Sequence, residues 1–200
     1  MNYSLDPIRT IDPVLIIPMA KLHESAQRIL LSDMGFPFVL RYFQVAVKDP
    51  SVIGFYAMSE ANTLIGYVIG APRPDELNSQ LTKPRLWFLA QCLRLLFTRP
   101  KVLWQAIVSS LTLAKQVATE ADSIELVYIS VDPQTRGKGL GRALIEAFHH
   151  ASRQAGYKCV FACQEIENSA SIGLFTSMGY KVKYAFREGQ YNRQRMELIL

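Results

Sequence analysis

Apolar residues recur along this chain in two rhythms, and the alternation between them predicts a mixed order of strands and helices. Residues 14–17 make a short apolar run that reads as a strand, and 21–31 carry Leu22, Ala26, Ile29 and Leu30 at helical spacing. A second helix is expected over 38–47, closed by Asp49-Pro50, because the residue before proline avoids helical backbone. Residues 52–58 and 64–70 are β-rich and joined by Ser59-Glu60-Ala61-Asn62, the pattern of a hairpin. Residues 72–81, with two prolines, read as a loop.

Two apolar helical runs follow, 84–98 and 100–119, divided by Arg99-Pro100; proline suits the first turn of the second. Each is too short for the roughly 20 apolar residues of a membrane span, and Arg94 interrupts the first. The expectation is packing against the rest of the domain or in a homodimer. The alternative is a peripheral membrane contact through Trp87, Phe88, Phe97 and Trp104, flanked by Arg85, Arg94, Arg99 and Lys101. Beyond them, SIELVYISV at 123–131 predicts a strong strand. A helix over 139–154 follows, its stripe formed by Leu140, Ala143, Leu144, Ala147, Phe148 and Ala151. A strand at 157–164, a helix at 169–177 and strands at 180–186 and 193–199 around a turn at 188–189 complete the order.

Composition narrows this little. Two hundred residues, half of them apolar and a fifth charged, suit one domain spanning 1–200 with a full core. A net charge of +5 fits an anionic partner and equally fits solubility alone. The three cysteines, Cys92, Cys159 and Cys163, have no metal-ligand spacing, so reduced thiols and no metal are expected. The N-terminal residues lack a basic start followed by an apolar run, so the chain reads as cytoplasmic.

The richest chemistry lies in DPQTRGKGLGRAL, residues 132–144. A strand that ends in a glycine-rich turn and enters a helix suits phosphate, since first-turn N–H groups lack helical partners and the helix dipole is positive there. Gly137, Gly139 and Gly141 let a pyrophosphate approach, and Arg136, Lys138 and Arg142 surround it with charge. A magnesium-nucleotide loop needs Ser or Thr after its Gly-Lys, but Gly137-Lys138 is followed by Gly139. The dinucleotide fingerprint fails as well, because Arg142 stands where its third glycine belongs.

What remains, Gln134-x-x-Gly137-x-Gly139 after the strand Val127-Tyr128-Ile129-Ser130-Val131, resembles the acyl-CoA-binding motif of the GNAT acyltransferase superfamily. Asn168-Ser169-Ala170, Leu174-Phe175 and Met178-Gly179-Tyr180 resemble the same family's second segment, in the same order and context. The resemblance covers 53–200, with the helical run at about 84–119 as an insertion. It implies an α/β (α+β) fold: a mixed, mostly antiparallel sheet, its central strands splayed, flanked by helices. It also implies an N-acetyltransferase acting by direct attack of a primary amine on acetyl-CoA, with no metal. Pantetheine would lie along Ile129, Ser130 and Val131. The pyrophosphate would take the turn Arg136, Gly137, Lys138, Gly139, Leu140, Gly141 and Arg142. Asn168 and Phe175 would flank the pantetheine arm, and Asn168 equally fits a helix cap.

Two departures matter. The family often places a tyrosine acid at position 175, where this chain has Phe175. A branch acting on ribosomal-protein N-termini carries a glutamate where Cys163 stands, which argues against that branch. For the general base the first candidate is Glu125, ahead of Tyr128, Glu165 and Glu167. Strict alternation sets Tyr128 on the face opposite Glu125 unless the strand bulges. Acetyl-CoA and an amine are the expected partners, with no nucleic acid; the alternative is a catalytically weak acyl-CoA sensor of the same fold. His23 is a candidate for acceptor contact, whereas His149 and His150 fall late in a helix, away from the acyl end.

Overall fold

The computed structural model describes residues 2–26, 29–116, 120–188 and 190–200. Strands β1 (Tyr3–Pro7), β2 (Ile53–Ser59), β3 (Leu64–Ala71), β4 (Ser123–Val131), β5 (Cys159–Glu165), β6 (Lys181–Glu188) and β7 (Tyr191–Ile199) form one sheet, ordered β1-β2-β3-β4-β5-β7-β6. Every neighbouring pair is antiparallel except β4 and β5. Helices α1 (Ile16–Ala26), α2 (Leu30–Asp33), α3 (Phe36–Ala46), α4 (Pro74–Gln80), α5 (Arg85–Thr98), α6 (Pro100–Gln116), α7 (Leu140–Gln154) and α8 (Ser169–Ser177) surround it.

Alternate residues of β3 supply two cores, one on each face. Tyr67 and Ile69 join Met19, Ala20, Phe38, Val39 and Phe43 beneath α1 and α3. Val68 joins Leu126, Leu140, Leu144, Phe148 and Phe175 beneath α7 and α8. The strand expected at 14–17 is instead a 3-10 turn, Pro13–Leu15, running into α1. Asp12 caps that turn by accepting from the Val14 N–H at 2.9 Å. Ile16, Met19, Ala20 and His23 then fall on one buried helical stripe, so four-residue spacing outweighs a short apolar run. The helix expected over 21–31 accordingly starts earlier, at Ile16, and is described to Ala26; positions 27–28 of the expected span lie outside the described residues, and α2 is a separate turn. The true first strand, Tyr3–Pro7, is a short edge strand with little apolar content. The loop expected at 72–81 contains α4, begun by Pro74 and favoured by Asp75 and Glu76 in its first turn.

Helices α5 and α6 fall where helical spacing places them; the part of the second run at 117–119 lies outside the described residues, as does Gly189 of the expected 188–189 turn. One face of α5 packs on the body through fully buried Leu95, while Trp87 and Phe88 stand edge-on to Phe38 at centroid distances of 5.4 and 6.3 Å. Trp87 and Phe88 are therefore body contacts and not part of an outward face. Arg94 donates to the Met34 carbonyl at 3.2 Å and Arg99 to that of Asp33 at 2.8 Å.

Candidate acyl-CoA site

Strands β4 and β5 are registered only from Ser123 opposite Cys159 to Leu126 opposite Ala162. Past that point β4 runs on to Val131 against β3, and β5 to Glu165 against β7. The middle of the sheet therefore opens into a slot between the two strands, and extended backbone edges of this kind bind an extended amide chain.

A β-bulge sets which side chains face this opening. Ile69 lies opposite Tyr128 and Gly70 opposite Leu126, so Val127 is the extra residue. Val127 and Tyr128 both pack on the α1–α3 side, whereas Leu126, Ile129 and Val131 pack on the α7 side. Tyr128 thus shares the Glu125 face after all. Gly70 makes this close pairing feasible: a Cβ there would sit 2.3 Å from the Phe148 ring and 2.6 Å from the Glu125 carbonyl oxygen.

At the far end of β4, Asp132 accepts from the Gln134 N–H at 2.8 Å and starts a 3-10 turn. Gly137 (φ 74°) and Gly139 (φ 84°) then take left-handed backbone, and a Cβ at either would meet nothing within 4 Å. Glycine is needed here for conformation, and the approach to the backbone is open. Gly139 precedes α7 with no side-chain cap, so the first-turn N–H groups stay available to an anion. Buried Leu140 anchors the turn, and Gly141 lets α7 approach Leu174, whose Cδ2 would be 3.4 Å from a Cβ. The exposed basic chains are braced by local oxygens. Arg136 donates to the Val131 carbonyl (3.3 Å), Lys138 to that of Gln134 (3.1 Å), and Arg142 to Ser177 Oγ (2.7 Å). Asn168 caps α8 by accepting from the Ser171 N–H at 3.1 Å. Phe175 is fully buried edge-on to Tyr180, at 4.9 Å, so the structure sets it in the core beneath α8.

Where the two strands part stands an ion pair. Arg195 of β7 donates to Glu125 Oε2 at 2.9 Å, and the Cys163 thiol donates to Glu125 Oε1 at 3.3 Å. The Arg195 side chain is 3% exposed and that of Glu125 13%, while the guanidinium also lies over the Phe161 ring at 4.2 Å. Burial works most strongly against the Arg195 charge, but Glu125, Cys163 and Tyr184 together offset it and hold the guanidinium above its ordinary range. Burial first, then the Glu125 charge, pushes the Cys163 thiol up, so it stays protonated. Arg195 was invisible to motif reading; its signal is a basic residue beside Met196 in a strand, which needs a buried acid. Of the weaker base candidates, Glu165 sits opposite Arg193 in the β5–β7 register, and Glu167 lines a hollow with Ile166, Phe186 and Asn192.

Beneath Tyr128 lies a buried polar chain. Tyr67 donates to Ser130 Oγ at 3.2 Å and contacts His23 Nδ1 at 2.6 Å. The direction of the bond between His23 Nδ1 and the Tyr67 hydroxyl follows the histidine tautomer. His23 is fully buried, and burial lowers it to about 3, so it is neutral and belongs to the core and not to an acceptor surface. Tyr42 stands edge-on to Tyr128 at a centroid distance of 5.0 Å, and burial raises its phenol. His149 is held by Tyr180, Nε2 to hydroxyl 2.7 Å, and lowered to about 4 by burial and Arg153.

The sheet thus opens between two parallel strands and carries an uncapped helix start and a basic glycine turn at the end of that opening. The sequence profile of the acetyltransferase (GNAT) family matches residues 20–180, and the chain belongs to that family. In fold it is similar to an acetyltransferase of the GNAT family from Desulfovibrio desulfuricans, at 12% identity and a TM-score of 0.66 over 99% of each chain. It is likewise similar to PaiA N-acetyltransferase from Thermoplasma acidophilum, solved with coenzyme A, at 10% identity and a TM-score of 0.63 over 100% of each chain. At these identities the likeness is one of fold. A mycothiol acetyltransferase from Nocardia farcinica (strain IFM 10152) is 34% identical over 56 residues, covering 28% of this chain and 18% of that protein. Among the described residues no helix is long and apolar enough to cross a membrane.

Proposed function

We propose that the protein transfers an acetyl group from acetyl-CoA to a primary amine by direct attack, with Glu125 receiving the proton that the amine loses. The observation that supports this reading is Glu125 on β4, one residue before the last registered pair with β5 (Leu126 opposite Ala162), its carboxylate 13% exposed and held by Arg195. The pyrophosphate takes the Arg136–Arg142 turn, and pantetheine runs along Ile129–Val131. Arg195 fixes the direction of the Glu125 carboxylate through its 2.9 Å hydrogen bond. The bulge presents Tyr128 on the same face; burial raises its phenol, so it remains protonated and donates a hydrogen bond, not a proton. With Phe175 at the usual acid position, the leaving thiolate takes its proton from solvent.

The test is a panel of small amines, amino sugars and protein N-termini, read as free CoA release. Glu125→Gln is expected to lower kcat/KM at least about a hundredfold, the usual scale of general-base catalysis. Full turnover of that variant across pH would remove Glu125 from the chemistry. A second reading, a CoA-binding sensor with weak catalysis, is favoured by Phe175 and by the prior engagement of both Glu125 oxygens. Thermal stabilisation by acetyl-CoA with no CoA release against the panel would select it.

A further inference from the structure

We propose that the outer face of the α5–α6 hairpin is a docking surface for an anionic phospholipid bilayer, lying in the membrane interface without crossing it. Helix α5 has two apolar sides. At about 100° per residue, Leu95 with half-buried Trp87, Phe88 and Cys92 points to the body, and Leu86, Leu89, Leu93, Leu96 and Phe97 fall within an arc on the opposite side. Leu86 is 83% exposed and Phe97 79%, and Trp104 of α6 adds an indole at 67%. Outside the hairpin the exposed large apolar side chains among the described residues are Val14, Ile17, Ile166, Val182 and Ile199, spread along the chain. A contiguous apolar face of this kind marks an interaction site.

Charge decides what covers it. Residues 77–119 contain no Asp or Glu and six Lys or Arg. Lys83 and Arg85 stand before the apolar stripe of α5, and Arg99 and Lys101 follow it; all four are exposed. Lys83, Arg85 and Lys101 form no ion pair among the described residues. A second copy docked about a two-fold axis would set this basic set against itself with no acid to answer it. An anionic headgroup layer answers both features, taking the leucines, Phe97 and Trp104 below its surface and the cations at the phosphate level. Geometry agrees: α5, of 14 residues, is about 21 Å long, short of a hydrocarbon core of about 30 Å.

The test is sedimentation of the full chain with sucrose-loaded vesicles, phosphatidylglycerol-rich or pure phosphatidylcholine. The protein is expected to pellet with the first and stay in solution with the second. Raising salt from about 0.1 M to about 1 M should release it in part, as screening shortens the reach of the headgroup charge. Leu86→Gln with Phe97→Gln is expected to lower partitioning at least about tenfold, since each gives up burial of a large apolar side chain. Lys83→Gln, Arg85→Gln and Lys101→Gln together are expected to erase the preference for phosphatidylglycerol, an independent arm if the apolar variant folds poorly. Absence from phosphatidylglycerol vesicles, or undiminished binding by the apolar variant, would overturn the proposal. So would a concentration-dependent dimer that the apolar variant converts to monomer in a chain that ignores vesicles.

Discussion

The two ends of the β4–β5 opening are built in opposite ways. The turn at Arg136–Arg142 is made of consecutive residues, exposed side chains and backbone N–H groups, and its charge is spread over three cations braced by nearby oxygens. The vertex draws Glu125 from β4, Cys163 from β5 and Arg195 from β7, and buries them against Tyr128 and Phe161. A turn built on exposed backbone and several cations tolerates water and redundancy. A site that must direct one carboxylate cannot, because a buried charge is held only while its partner is present.

That contrast predicts a graded set of effects. Arg195→Ala should be the most damaging, costing about 3–5 kcal/mol in denaturant unfolding by leaving Glu125 buried and uncompensated. Arg195→Leu combined with Glu125→Leu should recover most of that loss while abolishing CoA release; a double variant no more stable than the single would break the argument. Acid should act next, through the same buried interior. Unfolded His23 binds a proton near 6.5 but folded His23 resists to about 3, and His149 resists to about 4. Between those values the unfolded state holds more protons, so stability falls as pH drops from 6.5 towards 3. His23→Gln should flatten that slope in pH-dependent melts.

The donor end should respond in affinity more than in stability. Gly139→Val forces a β-branched residue into φ 84°, costing about 1–2 kcal/mol of stability, and should weaken acetyl-CoA binding at least tenfold by calorimetry. An unchanged affinity would sink the pyrophosphate assignment. Smallest of all, Lys138→Ala should raise the acetyl-CoA Kd a few-fold, an effect that shrinks as salt rises. A loss as large as that of Gly139→Val would mean that charge, and not backbone geometry, holds the donor.

The same division explains what could be read early. The hairpin at 52–70, the strand at 123–131 and α7 carry strong periodicity, and α3, α5 and α8 declare their limits through Pro50, Pro100 and Asn168. Val14–Ile17 misled because four apolar residues cannot tell strand from helix; the stripe through Met19 and His23 settles it. Phe175 looked like a lining residue by its place in a motif, yet packing turns it onto Tyr180. The bulge at Val127 has no local signature, since it depends on Gly70 and Phe148 from other elements closing on β4.

By itself the sequence determined the glycine-rich turn of this protein. A turn needs particular glycines, a helix start needs open N–H groups, and both follow from neighbours in the chain, so Gln134, Gly137 and Gly139 could be read as a line of text. The surroundings of Glu125 were decided by tertiary structure. The partner of Glu125 lies 70 residues away on a strand that reaches it only across β5, and the face that Tyr128 presents depends on a bulge imposed by packing. Local backbone chemistry is written in order along the chain; compensation of a buried charge is settled only when distant strands meet.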